Sequence, residues 1–375
     1  MRSRAGLPRG VAIANVALMI IALFVFQRVT GHDDRTEVRP GHAPQKTVQG
    51  PRGQQPRGNG AEDPAVAPAG HVTATKESAR AAKANELGLV PVLMYHRITA
   101  KRWSSLDRTP GQLRKELERL AREGYVPITA AEYVTGRIDI PAGAHPVVLT
   151  FDDGSPGHFA FDAAGRPAGR TAAGVLLDVA RRHPGFRPVA TFWINREPFG
   201  LKDPIAQEHA VTWLVRNGFE VANHTYRHPD LRRLSRKRIG EEIARQERLL
   251  TRRGAPPSVT LALPYGSLPK RKNQRVAHRG SWKGTRYDFS GVFLAGAEPA
   301  ASPYSTDFAP YRIPRIQSNG KGGECRRWCS TYWLGWLSAH PSRRYTSDGD
   351  PDHISIPKKL QGNIREKLAK RVVAY

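Results

Sequence analysis

Between residues 89 and 263 the chain alternates short apolar runs of strand length with amphipathic stretches of helix length, and few folds tolerate that alternation. LVPVLM (89–94), VVLTF (147–151), VATFWI (189–194), FEVAN (219–223) and VTLAL (259–263) read as strands. Helical patterns fall between them. One opens after Thr109-Pro110 and puts Leu113, Leu117, Leu120 and Ala121 on one face before Gly124 stops it. Thr171 caps the next, whose Ala172, Val175, Leu176, Val179 and Ala180 follow helical spacing. Another ends at Gly218, and Ser235 opens one that runs through Ile239, Ile243 and Leu250. Steps of about 25–40 residues from strand to strand imply largely parallel strands with right-handed crossovers, hence an α/β fold.

The flanks have a different character. Residues 11–26 are apolar except for Asn15 and follow Arg2, Arg4 and Arg9, the pattern of an export signal. Val29-Thr30-Gly31 is a poor cleavage site, so we expect a cytoplasmic N-terminus (1–10) and a single-pass signal-anchor (11–27) in the cell membrane, with the rest extracytoplasmic. Secretion after cleavage is the alternative. Residues 28–85, with GPRGQQPRGNG at 50–60, read as a disordered Pro/Gly-rich linker, 86–357 as the folded domain, and 358–375 as a basic amphipathic tail. In that tail Leu360, Ile364, Leu368 and Val372 recur every fourth residue, which suits a helix packed on the domain or lying on an anionic membrane surface.

In parallel α/β folds chemistry gathers where strands end. VVLTF runs into Asp152-Asp153-Gly154, FEVAN into His224-Thr225-Tyr226-Arg227-His228, and VTLAL into Pro264-Tyr265-Gly266. One aspartate and two histidines make an open three-ligand site for a catalytic divalent metal, with the second aspartate left as base or orienter. Two cysteines exclude a four-sulfur zinc site. The formal charge of +26 favours polyanions, yet no groove-reading motif accompanies it, so nucleic acid is not an expected partner.

Taken together these motifs resemble the polysaccharide deacetylases, over roughly Leu89 to Gln317. Thr150-Phe151-Asp152-Asp153-Gly154 and His224-Thr225-Tyr226-Arg227-His228 carry the resemblance, supported by LMYHRI (93–98), EGYVPIT (123–129) and TFWIN (191–195). The resemblance implies a distorted, incomplete (β/α) barrel and hydrolysis of acetyl groups on a polysaccharide, an N-acetyl amino sugar first among them. It implies one divalent metal ion on Asp153, His224 and His228, with zinc first and cobalt or nickel also suited. Asp152 would be the general base, the backbone N–H of Tyr265 would help to hold the oxyanion, and Thr225 would orient the surroundings of the histidines.

Two motifs depart from the pattern. The family arginine two residues before Pro264 is replaced by Ala262, with Lys270 or Arg271 the nearest substitutes by sequence. No Leu-x-His supplies a general acid, and His353 in DHISIP is the candidate. The competing expectation is therefore a metal-containing carbohydrate-binding protein with weak or no catalysis. His96 lines the barrel mouth or is a structural histidine. The basic segment 269–286 either holds an acidic wall polymer or is a solvated loop. Cys325 and Cys329 lie at the start of an aromatic run, Trp328, Tyr332, Trp333 and Trp336, read as a helix that buries its ring face, where an i, i+4 disulfide would be awkward.

Overall fold

The apolar runs become strands because each alternates two buried faces. In a computed structural model, which describes residues 73–320 and 322–375, they form β1 (Val92–Tyr95), β2 (Tyr125–Ile128), β3 (His145–Phe151), β4 (Thr191–Ile194), β5 (Glu220–Asn223) and β6 (Thr260–Ala262). A hairpin follows, β7 (Arg279–Trp282) and β8 (Thr285–Asp288), then β9 (Gly291–Phe293), β10 (Ile316–Gln317), β11 (Ile354–Ile356) and β12 (Val372–Ala374). The main sheet has the order β10-β1-β3-β4-β5-β6-β9, and every pairing in it is parallel.

This sheet curls until its ends meet. Phe293 of β9 bridges Ile313 in parallel, Leu294 N–H donates to the Ile313 carbonyl at 2.8 Å, and three residues later the same segment becomes β10 beside β1. The barrel is distorted at β3. Val148 pairs with both Val92 and Ile128, while Thr150 pairs with both Met94 and Thr191, so β2 and β4 occupy successive stretches of the same edge.

Strand periodicity divides the core. Val92, Val148, Trp193, Ala222, Ala262 and Phe293 fill the barrel interior, and their neighbours Leu93, Leu149, Phe192, Ile194 and Val221 pack outward under the helices. Trp193 is the largest interior side chain, and its indole N–H donates to Thr260 Oγ1 at 2.9 Å. Helices Pro110–Arg122, Ala172–Arg182 and Arg236–Arg252 start where the capping residues Thr109, Thr171 and Ser235 predict, each side-chain oxygen accepting from a first-turn N–H.

Four expectations need correction. The folded body begins before residue 86: helix Lys76–Ala81 is capped by Thr75, buries Ala79, and is preceded by Ala74, whose N–H donates to Asp350 at 2.8 Å. Six residues are too short for a periodic signal. The rest of the linker reading and the 1–10 and 11–27 readings lie outside the described residues, among which no helix is long and apolar enough to cross a membrane. Residues 358–375 are no helix but two 3₁₀ segments, Lys358–Asn363 and Glu366–Arg371, followed by β12, which pairs with β11. Ile364, Leu368 and Val372 pack against the barrel-interior cluster.

The basic segment is not a plain loop either. Lys283 and Gly284 turn the β7–β8 hairpin in the left-handed region (φ 45° and 80°), as hairpin twist requires. Its Tyr287 joins the core cluster that Ile239 and Ile243 of helix Arg236–Arg252 help to build. Finally, Cys325 and Cys329 form a disulfide, because Cys325 lies in a 3₁₀ turn and Cys329 precedes helix Ser330–Ala339; the pair does not share one regular helix. Of the four rings, Trp333 is buried, Tyr332 and Trp336 of that helix are half-buried against the core, and Trp328 lies ahead of the helix.

His145 ties the first residue of β3 to the C-terminal region, its Nδ1 lying 2.8 Å from the Tyr345 carbonyl. Burial first, and Arg344 second, push its pKa down to about 4. The unfolded chain protonates near 6.5, so between these values the folded form binds fewer protons. The contribution is complete above about pH 6.5 and is lost as pH falls through about 4. We expect the urea midpoint to fall on acidification from pH 7 to 4.5, and to fall less in His145→Gln; equal pH dependence in both proteins would rule out this origin.

Candidate active site

The alternation that fills the barrel interior continues past the strand ends and selects the residues of the cleft. Val92, Met94 and His96 form one inward series; Val148, Thr150 and Asp152 form a second; Ala222 and His224 a third; Ile313 and Arg315 a fourth. The lower members are core, and the upper ones line a cleft with Asp153, His228, Leu263, Tyr265, Gly266 and Ala295.

Asp152 is buried there, 2% exposed. Arg315 meets it with a two-pronged fork, one terminal nitrogen to each carboxylate oxygen at 2.7 Å. Two of the three remaining guanidinium hydrogens are also used: Nε donates to the Leu294 carbonyl at 2.7 Å and one terminal nitrogen to Thr150 Oγ1 at 3.3 Å. The guanidinium lies over the Trp193 ring, 5.1 Å from its centroid. Burial alone would raise the Asp152 carboxyl, but Arg315, with His224 behind it, holds it below its ordinary range, so Asp152 is an ionised acceptor.

Asp153, His224 and His228 converge. One oxygen of Asp153 lies 3.4 Å from His224 Nε2 and 3.3 Å from His228 Nε2, and the three ligand atoms all fall within 4.8 Å of one another. His224 Nδ1 lies 2.9 Å from the Ala262 carbonyl and donates to it, so Nε2 is the atom turned toward Asp153; burial works to lower the pKa of this ring, but Asp152 and Asp153 raise it. Burial pushes the His228 pKa down to about 4 against the pull of Asp153, leaving that ring neutral. A carboxylate and two imidazoles converging on one point are a donor set that fits a divalent cation, whose arrival would displace any proton held on His224 Nε2.

Helix Arg236–Arg252 and the end of β4 shape the histidine loop. Glu242 accepts from the Arg227 N–H at 2.8 Å, Asn195 donates to the carbonyls of His224 and Thr225 at 2.8 and 3.0 Å, and Asn223 accepts from the Thr225 N–H at 2.8 Å. Asp153, Thr225, His228 and Tyr265 all have left-handed backbones, with φ of 76°, 65°, 57° and 58°. Non-glycine residues adopt that conformation at a cost of about 1–3 kcal/mol each, held here by the surrounding bonds. At Gly266 the left-handed turn is glycine by necessity, since a Cβ would lie 2.3 Å from the Ala295 nitrogen.

Asp152, Asp153, His224, His228 and Tyr265 therefore share one cleft, with the Tyr265 ring edge-on to His228. Thr225 acts through its backbone; its buried hydroxyl makes no hydrogen bond to either histidine. His353 does not line the cleft. It is bonded to Asp350 at 2.7 Å beside β11, whose Ser355 N–H donates to Glu86, ahead of β1 and so at the opposite end of the barrel. The strand-like ISI that drew attention to it is real, but belongs to the small β11–β12 sheet.

The position left empty by Ala262 is filled by Arg315, and not by Lys270 or Arg271, which are exposed. Ala262 packs in the barrel interior with Trp193 and Phe293, and its lack of a side chain leaves room for that ring and for Arg315 over it. The inward alternation Ile313, Arg315 in YRIPRIQ was a usable signal, though the segment is too short to stand out as a strand. His96 is the other functional residue that sequence reasoning left open, and its Nε2 lies 4.0 Å from Asp152.

Comparison with known proteins fits this geometry. Residues 139–281 match the family described as polysaccharide deacetylase, a span that holds Asp152, Asp153, His224, His228 and Tyr265. Among solved structures the chain is similar to the Streptococcus pyogenes deacetylase PplD in complex with acetate, at 18% identity over 62% of this chain and 92% of that one, TM-score 0.48. It is also similar to the putative polysaccharide deacetylase BA0330 from Bacillus anthracis, at 19% identity over 61% and 64%, TM-score 0.46. IcaB from Ammonifex degensii matches at 24% identity over 55% and 84%, TM-score 0.40. Residues 139–281 thus match the polysaccharide deacetylase family, and the chain carries a domain of that kind.

Proposed function

We propose that this protein removes acetyl groups from an N-acetylated amino sugar in a cell-envelope or extracellular polysaccharide. The observation that carries the reading is the ionised Asp152, locked by Arg315, next to the Asp153–His224–His228 cluster. Those three residues would hold one divalent ion, zinc or else cobalt or nickel, which when bound supplies Lewis-acid polarisation of the acetyl carbonyl. Asp152 accepts the proton of the attacking water, and the Arg315 fork keeps it both ionised and fixed in direction. The backbone N–H of Tyr265 donates to the carbonyl oxygen as charge develops there. His96, on the cleft wall 4.0 Å from Asp152, takes the role of proton donor to the departing nitrogen that the sequence had offered to His353.

The alternative of a carbohydrate-binding protein without turnover rested on the missing arginine and acid. Arg315 beside Asp152 and His96 on the cleft wall favour the enzyme reading over it. For a wider partner, Arg236, Lys237, Arg279, Trp282 and Arg286 line a groove of about 690 Å³ between the hairpin and its helix, and this supports contact with an acidic wall polymer.

Three outcomes test these readings. The purified protein should hold about one divalent ion per chain. His224→Ala should lose it together with acetate release, whereas Asp152→Asn should keep the metal and lose acetate release. Equal metal content in wild type and His224→Ala would exclude the ligand assignment.

Ala262→Arg should lower both the melting temperature and acetate release, because two guanidinium groups would crowd the space beside Trp193. Arg315→Lys should slow acetate release at least about tenfold, since an ammonium cannot grip both oxygens. An unchanged rate in either variant would refute the role given to Arg315.

We further propose that residues 11–27 stay as a single-pass anchor with the domain extracytoplasmic, supported by the arginine-flanked apolar run and the poor cleavage site. N-terminal sequencing of the membrane fraction should return the first residues intact; a start near His32 would mean secretion.

A further inference from the structure

One large aromatic side chain on the rim of the cleft is unused by the chemistry above. Trp103 is 68% exposed, on the loop that leaves β1 directly after His96. The other large exposed hydrophobics among the described residues are Ile205, in the first turn of helix Pro204–Arg216, and Tyr311, which is stacked on His278.

The loop around Trp103 is rigid where an incidental surface loop would not be. Asp107, 1% exposed, accepts from Arg97 Nε at 2.9 Å and its terminal nitrogen at 2.8 Å, and from the N–H groups of Trp103 and Ser104 at 2.8 and 3.1 Å. Ile98 and Arg108 bridge the base of the loop, and Gln317 and Asn319 donate to the Ser105 carbonyl at 3.1 and 2.6 Å. Below it Gly157 approaches Ile98 so closely that a Cβ would sit 1.9 Å from the Ile98 oxygen. A buried carboxylate thus fixes the backbone of the indole while the ring stays largely in water, with Lys101 Nζ over one face at 5.9 Å from its centroid and the other face open.

The distance of Trp103 from the cleft wall is bounded. Leu106 of the same loop lines the cleft, and Trp103 lies three residues before it, at most about 10 Å of extended chain. That is the length of one or two pyranose units. An indole face presents a flat, polarisable surface to the C–H face of a sugar ring, and because the loop is already ordered little freedom is lost on binding.

We propose that Trp103 is a sugar-stacking subsite: it takes the pyranose ring one or two units along the polymer from the acetylated unit held in the cleft. Trp103 is accordingly a specificity residue, selecting glycans of several units over a single sugar. The exposed Lys101 and Arg102 beside it allow anionic substituents on that polymer. The proposal rests on the deacetylase reading for which unit occupies the cleft, and on the loop alone for the stacking.

Calorimetric titration of the full-length protein with chitopentaose and with N-acetylglucosamine tests it, alongside acetate release from chitopentaose and from 4-nitrophenyl acetate. Trp103→Ala should weaken pentaose binding and raise its KM about tenfold, as loss of one aromatic stacking contact does. It should leave kcat, monosaccharide binding and aryl acetate hydrolysis unchanged, and Trp103→Phe should recover most of the loss. Equal pentaose affinity in wild type and Trp103→Ala, or no pentaose binding by wild type, overturns the subsite. Trp103-dependent binding without acetate release from wild type would uphold the subsite and defeat the deacetylase reading.

Discussion

A buried ion pair on its own is a poor source of stability, because two charges must leave water to make it. The Arg315–Asp152 pair is not on its own: three further groups, Leu294, Thr150 and the Trp193 face, attend the guanidinium and replace the water it has lost. Loss of either partner would strand a charge in the barrel interior at a cost of about 3–5 kcal/mol. Arg315 belongs to the segment that joins β9 to β10 and so closes the sheet. One guanidinium therefore helps to close the barrel and holds the carboxylate at its mouth, and architecture and reactivity cannot be varied separately at that position.

Much of this arrangement was legible in the sequence because an apolar run of strand length needs only a few residues to show. VVLTF and FEVAN ran visibly into Asp152-Asp153 and into the histidine pair, and the capping residues Thr109, Thr171 and Ser235 marked helix starts. What escaped was set by long-range contact. β10 is two residues long and is a strand only because β1 lies beside it. Arg315 consequently looked like one more cation in a chain with 59 of them. The tail misled for a related reason: Ile364, Leu368 and Val372 do meet one hydrophobic surface, but 3₁₀ turns and a strand bring them there, and an every-fourth-residue count cannot distinguish those from a helix.

The left-handed residues of the cleft show where local preference was overruled. Asp153, Thr225, His228 and Tyr265 adopt a conformation that favours glycine, and each stands at or just beyond a strand end that must turn sharply to aim a side chain or an amide inward. The bonds from Asn195, Asn223 and Glu242 are the compensation. A site assembled this way is pre-organised before any ligand arrives, which keeps the cost of ordering out of the binding step.

The small β11–β12 sheet has a consequence for how the chain folds. Its last strand supplies residues 372–374, the Lys358 N–H donates to the Tyr375 carbonyl, and the Tyr375 hydroxyl donates to the Ala84 carbonyl at 2.7 Å, just ahead of β1. The floor of the barrel is thus completed by residues 372–375 meeting the segment just ahead of β1. The bond from Tyr375 to Ala84 closes a loop of 291 residues, so the floor is an entropically costly, non-local closure that folding reaches late.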